Sequence, residues 1–256
     1  VGARMEVTAP CELAAPAHAW HLDFFRRAVA AGYRPTPSVS YELLEQNCPP
    51  AWMQRAHDGT PALTGWSPPS ALLSPANATV TNFLRNAFAR FVRLLLEAGA
   101  EPLMQIGEPW WWVMPDGRIC LYDDAARTRF GGNPAIITDM RAPLSATQKA
   151  LLDVAGNVLA QSTSAIRQRV RIEAGTSAQV KLLIFTPTVL DRTMPELFRA
   201  NLPVAWNWPL YEGLQLEDYD WLTTGRDADR RRGWAFATQR LLYPQSRTEY
   251  LAGFVL

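Results

Sequence analysis

The stretch Leu103-Met-Gln-Ile-Gly-Glu108-Pro109-Trp110-Trp111-Trp112 is an apolar run that ends in a glutamate, a proline and three tryptophans. The run is too short and too sharply bounded for a helix, so it predicts a buried strand. Glu108 would then stand where that strand ends, beside a group of indole rings. Whether the strand belongs to an open sheet or to a barrel depends on what surrounds it along the chain.

A unit of amphipathic helix, glycine and short apolar strand repeats along the chain. Apolar residues at helical spacing predict the helices, and the glycines that follow are left-handed stops. The predicted helices are about His18–Ala31, about Thr79–Ala98 with Asn77 as its cap, one that starts at the capping box Ser145-Ala-Thr-Gln148, Pro195–Ala200 and about Asp227–Tyr243. The predicted strands are Arg4–Thr8, Pro37–Glu42, Leu103–Gly107, Val180–Phe185, Gly213–Trp221 and Tyr250–Leu256, with Val204–Trp208 as a further candidate.

This alternation indicates the α/β class, with a parallel sheet and crossover connections. An open doubly wound sheet and a closed barrel compete. No Gly-x-Gly-x-x-Gly loop follows any strand, which removes the main support for a dinucleotide-binding open sheet. Six or seven strands in 256 residues fit a (β/α)8 TIM barrel that lacks, or poorly reveals, one or two units at its N-terminus. We therefore expect residues 1–256 to form a single TIM-barrel-like domain.

The loops after the predicted strands are long. Asp116-Gly117, between two short apolar segments, predicts a β-hairpin inserted after the Glu108 strand. Residues 45–75 and 123–143 follow other strand ends. In a barrel all of these loops lie on the C-terminal face, where binding and catalytic sites are built.

The composition excludes several classes of protein. Apolar residues make up 48% of the chain and charged residues 19%, which supports a sizeable core and excludes global disorder. A net charge of +1 gives no pull toward nucleic acid or an anionic membrane. No apolar run approaches the ~18 residues of a membrane span. The chain begins at Val1 without a signal peptide, so we expect a piece of a longer polypeptide or a processed form.

Metal, redox and serine-hydrolase chemistries are disfavoured. The cysteines, Cys11, Cys48 and Cys120, have neither metal-ligand spacing nor the pattern of a disulfide framework. The histidines at positions 18, 21 and 57 form no metal triad. No serine lies in a Gly-x-Ser-x-Gly elbow, and nothing indicates a nucleotide. We therefore expect neither a metal nor a cofactor.

A carboxyl group at a strand end beside indoles suits sugar chemistry. Hydrolysis of a glycosidic bond needs one carboxyl with a raised pKa as acid and one ionised carboxyl as nucleophile or base. Glu108 is the candidate acid; as the alternative, it is a salt-bridged strand end. Its partner must come from another strand end, and the candidates are Glu217, Asp218 and Asp220. Glu42 is a third strand-end carboxyl that could support Glu108, hold a sugar hydroxyl or lie at the surface. In an alternating strand Glu217 and Asp218 point to opposite faces, so the register decides which one enters the barrel mouth.

Aromatic residues also concentrate at the predicted strand ends, where flat rings can stack on pyranose rings. Each tryptophan taken alone is more often core, and Trp110, Trp111 and Trp112 cannot all face one way. In a strand, Trp206 and Trp208 share a face opposite to Asn207. The candidate substrate-binding residues are Tyr41, Trp52, Trp110, Trp111, Trp112, Trp206, Asn207, Trp208 and Trp221.

Two resemblances follow from these motifs. Gly107-Glu108-Pro109 is similar to the acid/base motif of clan A glycoside hydrolases, usually Asn-Glu-Pro on the fourth strand. Glycine replaces the asparagine that in that clan contacts the sugar 2-hydroxyl. The clan's nucleophile is a glutamate on the seventh strand. The resemblance therefore favours Glu217 as the partner of Glu108, with Asp220 next.

The longer resemblance covers about Ser38 to Leu256. Ile106-Gly-Glu-Pro-Trp-Trp-Trp, Pro49-Pro-Ala-Trp52-Met-Gln, Ala200-Asn-Leu-Pro-Val-Ala-Trp206 and Leu214-Gln-Leu-Glu-Asp-Tyr-Asp-Trp221 resemble the TIM-barrel-like domain of gene transfer agent and tailed-phage tail proteins. These are large baseplate hub proteins whose barrel is similar to a glycoside hydrolase. The resemblance implies other tail proteins as partners and a place in the tail of a virion or phage-like particle.

Two functions remain open at this point. One is a glycoside-hydrolase-like domain that cleaves a bacterial envelope glycan at the cell surface or in the periplasm. The other is an inactive barrel that serves as a structural, glycan-binding or receptor-binding module of the tail tip. The glycine before Glu108 favours the inactive module, while the strand-end carboxyls and the aromatic residues favour catalysis.

Overall fold

The computed structural model describes residues 13–251, and its secondary structure alternates between helices and strands. The strands are β1 (Ser38–Ser40), β2 (Glu42–Leu44), β3 (Ser70–Leu72), β4 (Leu103–Gly107), β5 (Gln179–Phe185), β6 (Gly213–Glu217) and β7 (Thr248–Leu251). The α-helices are α1 (Ala15–Ala30), α2 (Ala78–Glu97), α3 (Asp124–Arg129), α4 (Ala146–Ala174), α5 (Thr186–Val189), α6 (Phe198–Asn201), α7 (Tyr219–Thr223) and α8 (Asp227–Leu241).

Five of the strands form one parallel sheet with the spatial order β1-β4-β5-β6-β7. The strand order never reverses, whereas a doubly wound sheet requires a reversal. Successive units therefore follow one another in one direction around a common axis, which is the topology of a TIM barrel. Within residues 13–251 the pairing runs from β1 at one edge to β7 at the other. The strand predicted at Arg4–Thr8 and the end of the strand predicted at Tyr250–Leu256 lie outside the described residues.

The two faces of the sheet differ in chemistry. Alternate side chains, such as Ile106 and Leu182, belong to the apolar core beneath the helices. The opposite face carries amides and carboxylates: Gln105 donates to Gln215, which donates to Glu249 over 2.8 Å. TIM barrels usually fill this face with branched apolar side chains. Here hydrogen bonds between neighbouring strands take their place.

The helix ends follow the predicted signals. The Asn77 side chain accepts the backbone N–H of Thr79 over 2.9 Å and so caps α2. Ser145 and Gln148 form the predicted capping box at the start of α4. Gly175 follows α4 with a φ of 68°, which favours glycine.

The predicted hairpin after the Glu108 strand is present. Val113 pairs with Ile119 in antiparallel fashion, and the Cys120 N–H donates to the Trp112 carbonyl over 2.9 Å. Gly117 at the turn has a φ of 94°. The long loop after β2 adds an element that the sequence analysis did not predict, since β2 pairs antiparallel with β3 outside the main sheet.

Two predicted strands were wrong in part. Residues 204–206 form a 3-10 turn, so the strand alternation expected for Trp206, Asn207 and Trp208 does not exist. β6 ends at Glu217, because its pairing with β7 ends there and α7 begins at Tyr219. Asp220 and Trp221 therefore lie on a helix.

A close approach of two helices gives a test of this packing. A Cβ on Gly156 of α4 would lie 2.3 Å from the Arg199 carbonyl oxygen of α6. Gly156→Ala should destabilise the fold by about 1–3 kcal/mol, although alanine favours a helix by about 1 kcal/mol. Gly65→Ala is the control, because nothing lies within 4 Å of that position. Chemical denaturation midpoints measure both; an equal or more stable Gly156→Ala variant would contradict this packing.

Candidate active site

Glu108 takes an unusual backbone conformation at the end of β4. Its φ of 42° lies in the left-handed region, which is disfavoured for a residue with a Cβ. Gly107 before it has no room for a side chain, because a Cβ there would lie 2.7 Å from the Ser38 Oγ and 3.0 Å from the Ser40 Oγ. The β1 hydroxyls thus occupy the space that an asparagine at position 107 would need.

Two buried amide side chains hold the tryptophan loop in place. Gln54 donates to the Trp110 carbonyl over 2.9 Å and accepts the Trp112 N–H over 2.8 Å. Asn201 accepts the Trp111 N–H over 2.7 Å and donates to its carbonyl over 3.0 Å. The loop therefore has satisfied backbone groups without belonging to a strand.

Three carboxyl groups meet at the carboxyl ends of the strands. Burial, together with the neighbouring charges of Glu217 and Glu42, raises the pKa of Glu108 to about 8. Burial also raises the pKa of Glu217, with a contribution from Asp220. The pKa of Glu42 is raised by burial and lowered by a hydrogen bond from Ser70. Desolvation disfavours the charged form of each group, and for Glu108 the effect is large enough that the carboxyl keeps its proton at neutral pH.

The register of β6 separates Glu217 from Asp218. Glu217 lies on the same face of the sheet as Gln215 and interacts with Glu108. Asp218 instead pairs with Arg230 of α8 over 3.0 Å. Asp218 therefore holds α8 to the end of β6. Asp220 is exposed on α7 and lies close enough to Glu217 to raise its pKa.

Several aromatic rings connect around this cluster. Trp110 makes edge contacts with Trp112 at 5.4 Å and with Phe185 at 6.2 Å, and Phe185 contacts Tyr219 at 5.2 Å. Burial raises the pKa of Tyr219, and the charges of Glu217, Asp220 and Glu108 contribute to the rise, so its hydroxyl lies near the carboxyls. Within the described residues, the buried indole N–H groups of Trp110 and Trp112 have no hydrogen-bond partner. Buried donors normally find one, so these two indoles depart from the usual pairing of buried polar groups.

Four other aromatic candidates belong to the core. Tyr41 is fully buried, and its hydroxyl bonds Ser162 of α4 over 2.8 Å. The Trp111 indole donates to the Ala155 carbonyl over 2.9 Å. Trp52 packs on Phe83, and Trp221 is buried on α7. The structure does not offer the rings of Tyr41, Trp52, Trp111 and Trp221 to a substrate, because the helices cover them.

Residues 206–208 lie at the other end of the strands. They belong to the connection that leads from α6 into the start of β6, and the Trp208 N–H donates to Leu241 at the end of α8. Trp206 is buried against Thr163, and Asn207 is exposed. The rim position expected for Trp206, Asn207 and Trp208 is wrong, because the αβ connections of this topology lie opposite the carboxyl ends.

The sequence analysis missed four contributors to the site. Gln54 and Asn201 lie inside the motifs that carried the resemblance, but their role in fixing the tryptophan loop depends on long-range contacts. Phe185 is the last residue of β5, and Tyr219 comes two residues after the end of β6. Their position at strand ends is the signal that could have identified them.

A family of known domains matches nearly the whole chain. The family described as "Non-contractile tail sheath protein TIM barrel" matches residues 2–256. This agrees with the resemblance to a TIM-barrel-like domain of a tail protein, although the description names a tail sheath and neither a baseplate hub nor a gene transfer agent. No curated protein matches the chain.

A solved glycoside hydrolase structure has a similar fold. It is the crystal structure of the catalytic domain of beta-amylase from Paenibacillus polymyxa, with a TM-score of 0.55 and 11% sequence identity. The similarity covers 91% of this chain and 79% of that chain. At this identity the likeness concerns the fold alone. One strand separates β4 from β6, whereas two strands separate the fourth and seventh strands that carry the clan A carboxyls, so Glu217 departs from the clan position.

The raised pKa of Glu108 predicts a pH-dependent stability. Its folded pKa of about 8 exceeds the ordinary value of 4.5, so its contribution is fully present below about pH 4.5 and is lost as the pH rises through 8. Glu108→Gln removes this loss. We expect its Tm to exceed that of the wild type by ~4–8 °C at pH 9, from about 2 kcal/mol, with a much smaller difference at pH 5.

Calorimetry across this pH range measures the effect. Glu97→Gln is the control, because Glu97 is exposed on α2. A Tm difference for Glu108→Gln that does not change with pH would show that Glu108 titrates as an ordinary surface glutamate.

Proposed function

The chain belongs to the family of TIM-barrel domains of non-contractile tail sheath proteins, and on that premise we propose that its carboxyl cluster (Glu108, Glu217 and Glu42, called the mouth) binds and cleaves a glycan of the bacterial envelope. Glu108 is the proton donor, and Glu217 is its ionised partner. The domain acts in the tail at the cell surface or in the periplasm, next to other tail proteins.

The placement of Glu108 carries this proposal: its largely buried carboxyl follows β4 beside Glu217 and Glu42, and this setting raises its pKa to about 8. A carboxyl that keeps its proton to about pH 8 can act as a general acid at neutral pH, which an ordinary glutamate cannot. Its position after a buried strand, at the carboxyl edge of a TIM-barrel sheet, is where such enzymes place their chemistry. The structural similarity to a beta-amylase domain supports only the fold of this arrangement.

The mechanism follows from two carboxyls with different neighbours. Glu108 donates its proton to the glycosidic oxygen as the bond to the anomeric carbon breaks. Glu217 stabilises the positive charge on that carbon, either as nucleophile or by activating water. The two groups titrate as a coupled pair, because each negative charge opposes ionisation of the other. Tyr219 and Trp112, both half-buried, offer ring faces to the sugar.

A second function, the inactive module of the tail tip, is favoured by one observation. Gly107 replaces the asparagine of the clan motif, and the Ser38 and Ser40 hydroxyls occupy that space. In this reading the mouth binds a glycan or a receptor without cleaving it. A role in a baseplate hub or in a gene transfer agent is part of both proposed functions.

Removal of either carboxyl, Glu108 or Glu217, distinguishes a glycan-cleaving domain from an inactive module. Glu108→Gln and Glu217→Gln should each lower the release of reducing ends from purified cell-wall glycan by 10²-fold or more, because each deletes one half of the acid/base pair. Tryptophan fluorescence titration should show that glycan binding persists in both variants. Wild-type protein that binds but releases no reducing ends from peptidoglycan or other envelope polysaccharide would establish the inactive module.

Asp218→Asn is the matched control, since it changes the residue next to Glu217. It should keep most of the activity and lose stability, because only the contact with Arg230 is weakened. A variant Asp218→Asn that is as inactive as Glu217→Gln would contradict the assignment of Glu217 as the partner.

The pH profile of the wild type provides an independent test. We expect a bell-shaped profile of kcat/KM whose alkaline limb falls near pH 8, where Glu108 loses its proton. The acidic limb reports protonation of Glu217. An alkaline limb near pH 5 would show that Glu108 is not the acid.

A further inference from the structure

A groove of about 480 Å³ opens beside the carboxyl cluster, which is within the size range of ligand-binding clefts. One wall is the hairpin that follows Glu108, at Val113, Met114 and Pro115. The other wall is α7, which begins two residues after Glu217. The floor comes from Pro187 and Thr188, which follow the end of β5. The groove thus lies over the strand between the two carboxyl-bearing strands.

Asp220 connects the groove to the mouth. It lines the groove, and its charge also raises the pKa of Glu217 and of Tyr219. A ligand that reaches Glu217 from the groove side therefore passes Asp220. The walls continue the same two segments that position Glu108 and Glu217, so a chain held in the groove points toward the carboxyls.

The lining of the groove is amphipathic and carries no net positive charge, because its two aspartates equal its two arginines in number. Met114 and Met194 supply apolar surface, while threonines and aspartates supply hydroxyl and carboxylate oxygens. Its two arginines are already balanced outside the groove: Arg226 binds Asp229 over 2.9 Å, and Arg141 lies 3.8 Å from Asp139. A polyanionic chain would meet no net positive field here. Apolar surface beside hydroxyl-binding groups suits sugar rings that carry acetamido methyl groups.

We propose that this groove binds successive sugar units of an uncharged N-acetylhexosamine chain, so that the domain recognises a polymer and cleaves within it. The proposal rests on the proposed function for the position of the cleaved bond, but binding in the groove does not require cleavage. Sugar units beyond the mouth then add affinity and hold the chain across Glu108 and Glu217.

Binding as a function of chain length tests this. In the Glu108→Gln background, β-1,4-linked N-acetylglucosamine oligomers of two and six units are titrated by tryptophan fluorescence and calorimetry. We expect the six-unit oligomer to bind about tenfold more tightly than the two-unit oligomer. Thr223→Trp places an indole at an exposed position of the groove and should abolish that gain, with the two-unit affinity unchanged. Thr176→Trp is the control, because Thr176 is exposed in the turn between α4 and β5 and does not line the groove.

The outcomes are distinguishable from failure of the proposed function. Length-dependent binding that Thr223→Trp abolishes, in a wild type that cleaves nothing, supports the groove and overturns the catalytic proposal. Cleavage with equal affinity for both oligomers overturns the groove. No binding of either oligomer, equal effects of the two tryptophan variants, or tighter and salt-sensitive binding of polygalacturonate overturns the neutral N-acetylhexosamine assignment.

Discussion

The backbone of residues 107–112 is the constraint on which the rest of the mouth depends. A glutamate in the left-handed region is strained, and such a conformation persists only where the surrounding structure fixes it. β4 fixes the chain before Glu108 by pairing with β1 and β5. Gln54 and Asn201 fix the chain after it by binding the backbone of the three tryptophans. A loop before β3 and a short helix before β6 thereby determine the direction of one carboxyl.

Electrostatics then separates residues that look alike in the sequence. Glu217 and Asp218 are neighbours, yet Glu217 interacts with Glu108 and Asp220, whereas Asp218 pairs with the guanidinium of Arg230. The pair between Asp218 and Arg230 ties α8 to the sheet. Glu217 and Glu42 instead oppose the ionisation of Glu108, which disfavours the folded state as the pH rises. Proteins retain such unfavourable clusters mainly where function uses them.

The family match and the structural similarity to a glycoside hydrolase support different conclusions. Family membership places the domain in a tail protein, and the fold explains why strand ends gather on one face. Neither assigns a reaction, because one fold supports many functions. The proposed reaction depends on the buried carboxyls of Glu108 and Glu217, and the proposed binding of a glycan chain depends on the groove beside α7. Each of these features belongs to the site and not to the fold in general.

The sequence alone determined the features that depend on neighbouring residues. Apolar periodicity and the glycine stops predicted α2, α4, β4 and β5, and the capping box at Ser145 and the hairpin at Asp116-Gly117 formed as local chemistry requires. The position of Glu108 at a strand end followed from the same local pattern. Tertiary structure alone decided which side chains share the mouth. Trp206 to Trp208 were expected in a strand, but packing against α4 and α8 holds them in a turn at the opposite end. The register of β6 gives Glu217 and Asp218 different neighbours. The side-chain amides of Asn201 and Gln54, distant in the chain, bind the backbone of Trp111 and Trp112 respectively. Burial, pairing register and long-range hydrogen bonds join residues far apart in sequence, and for that reason no local pattern could predict them.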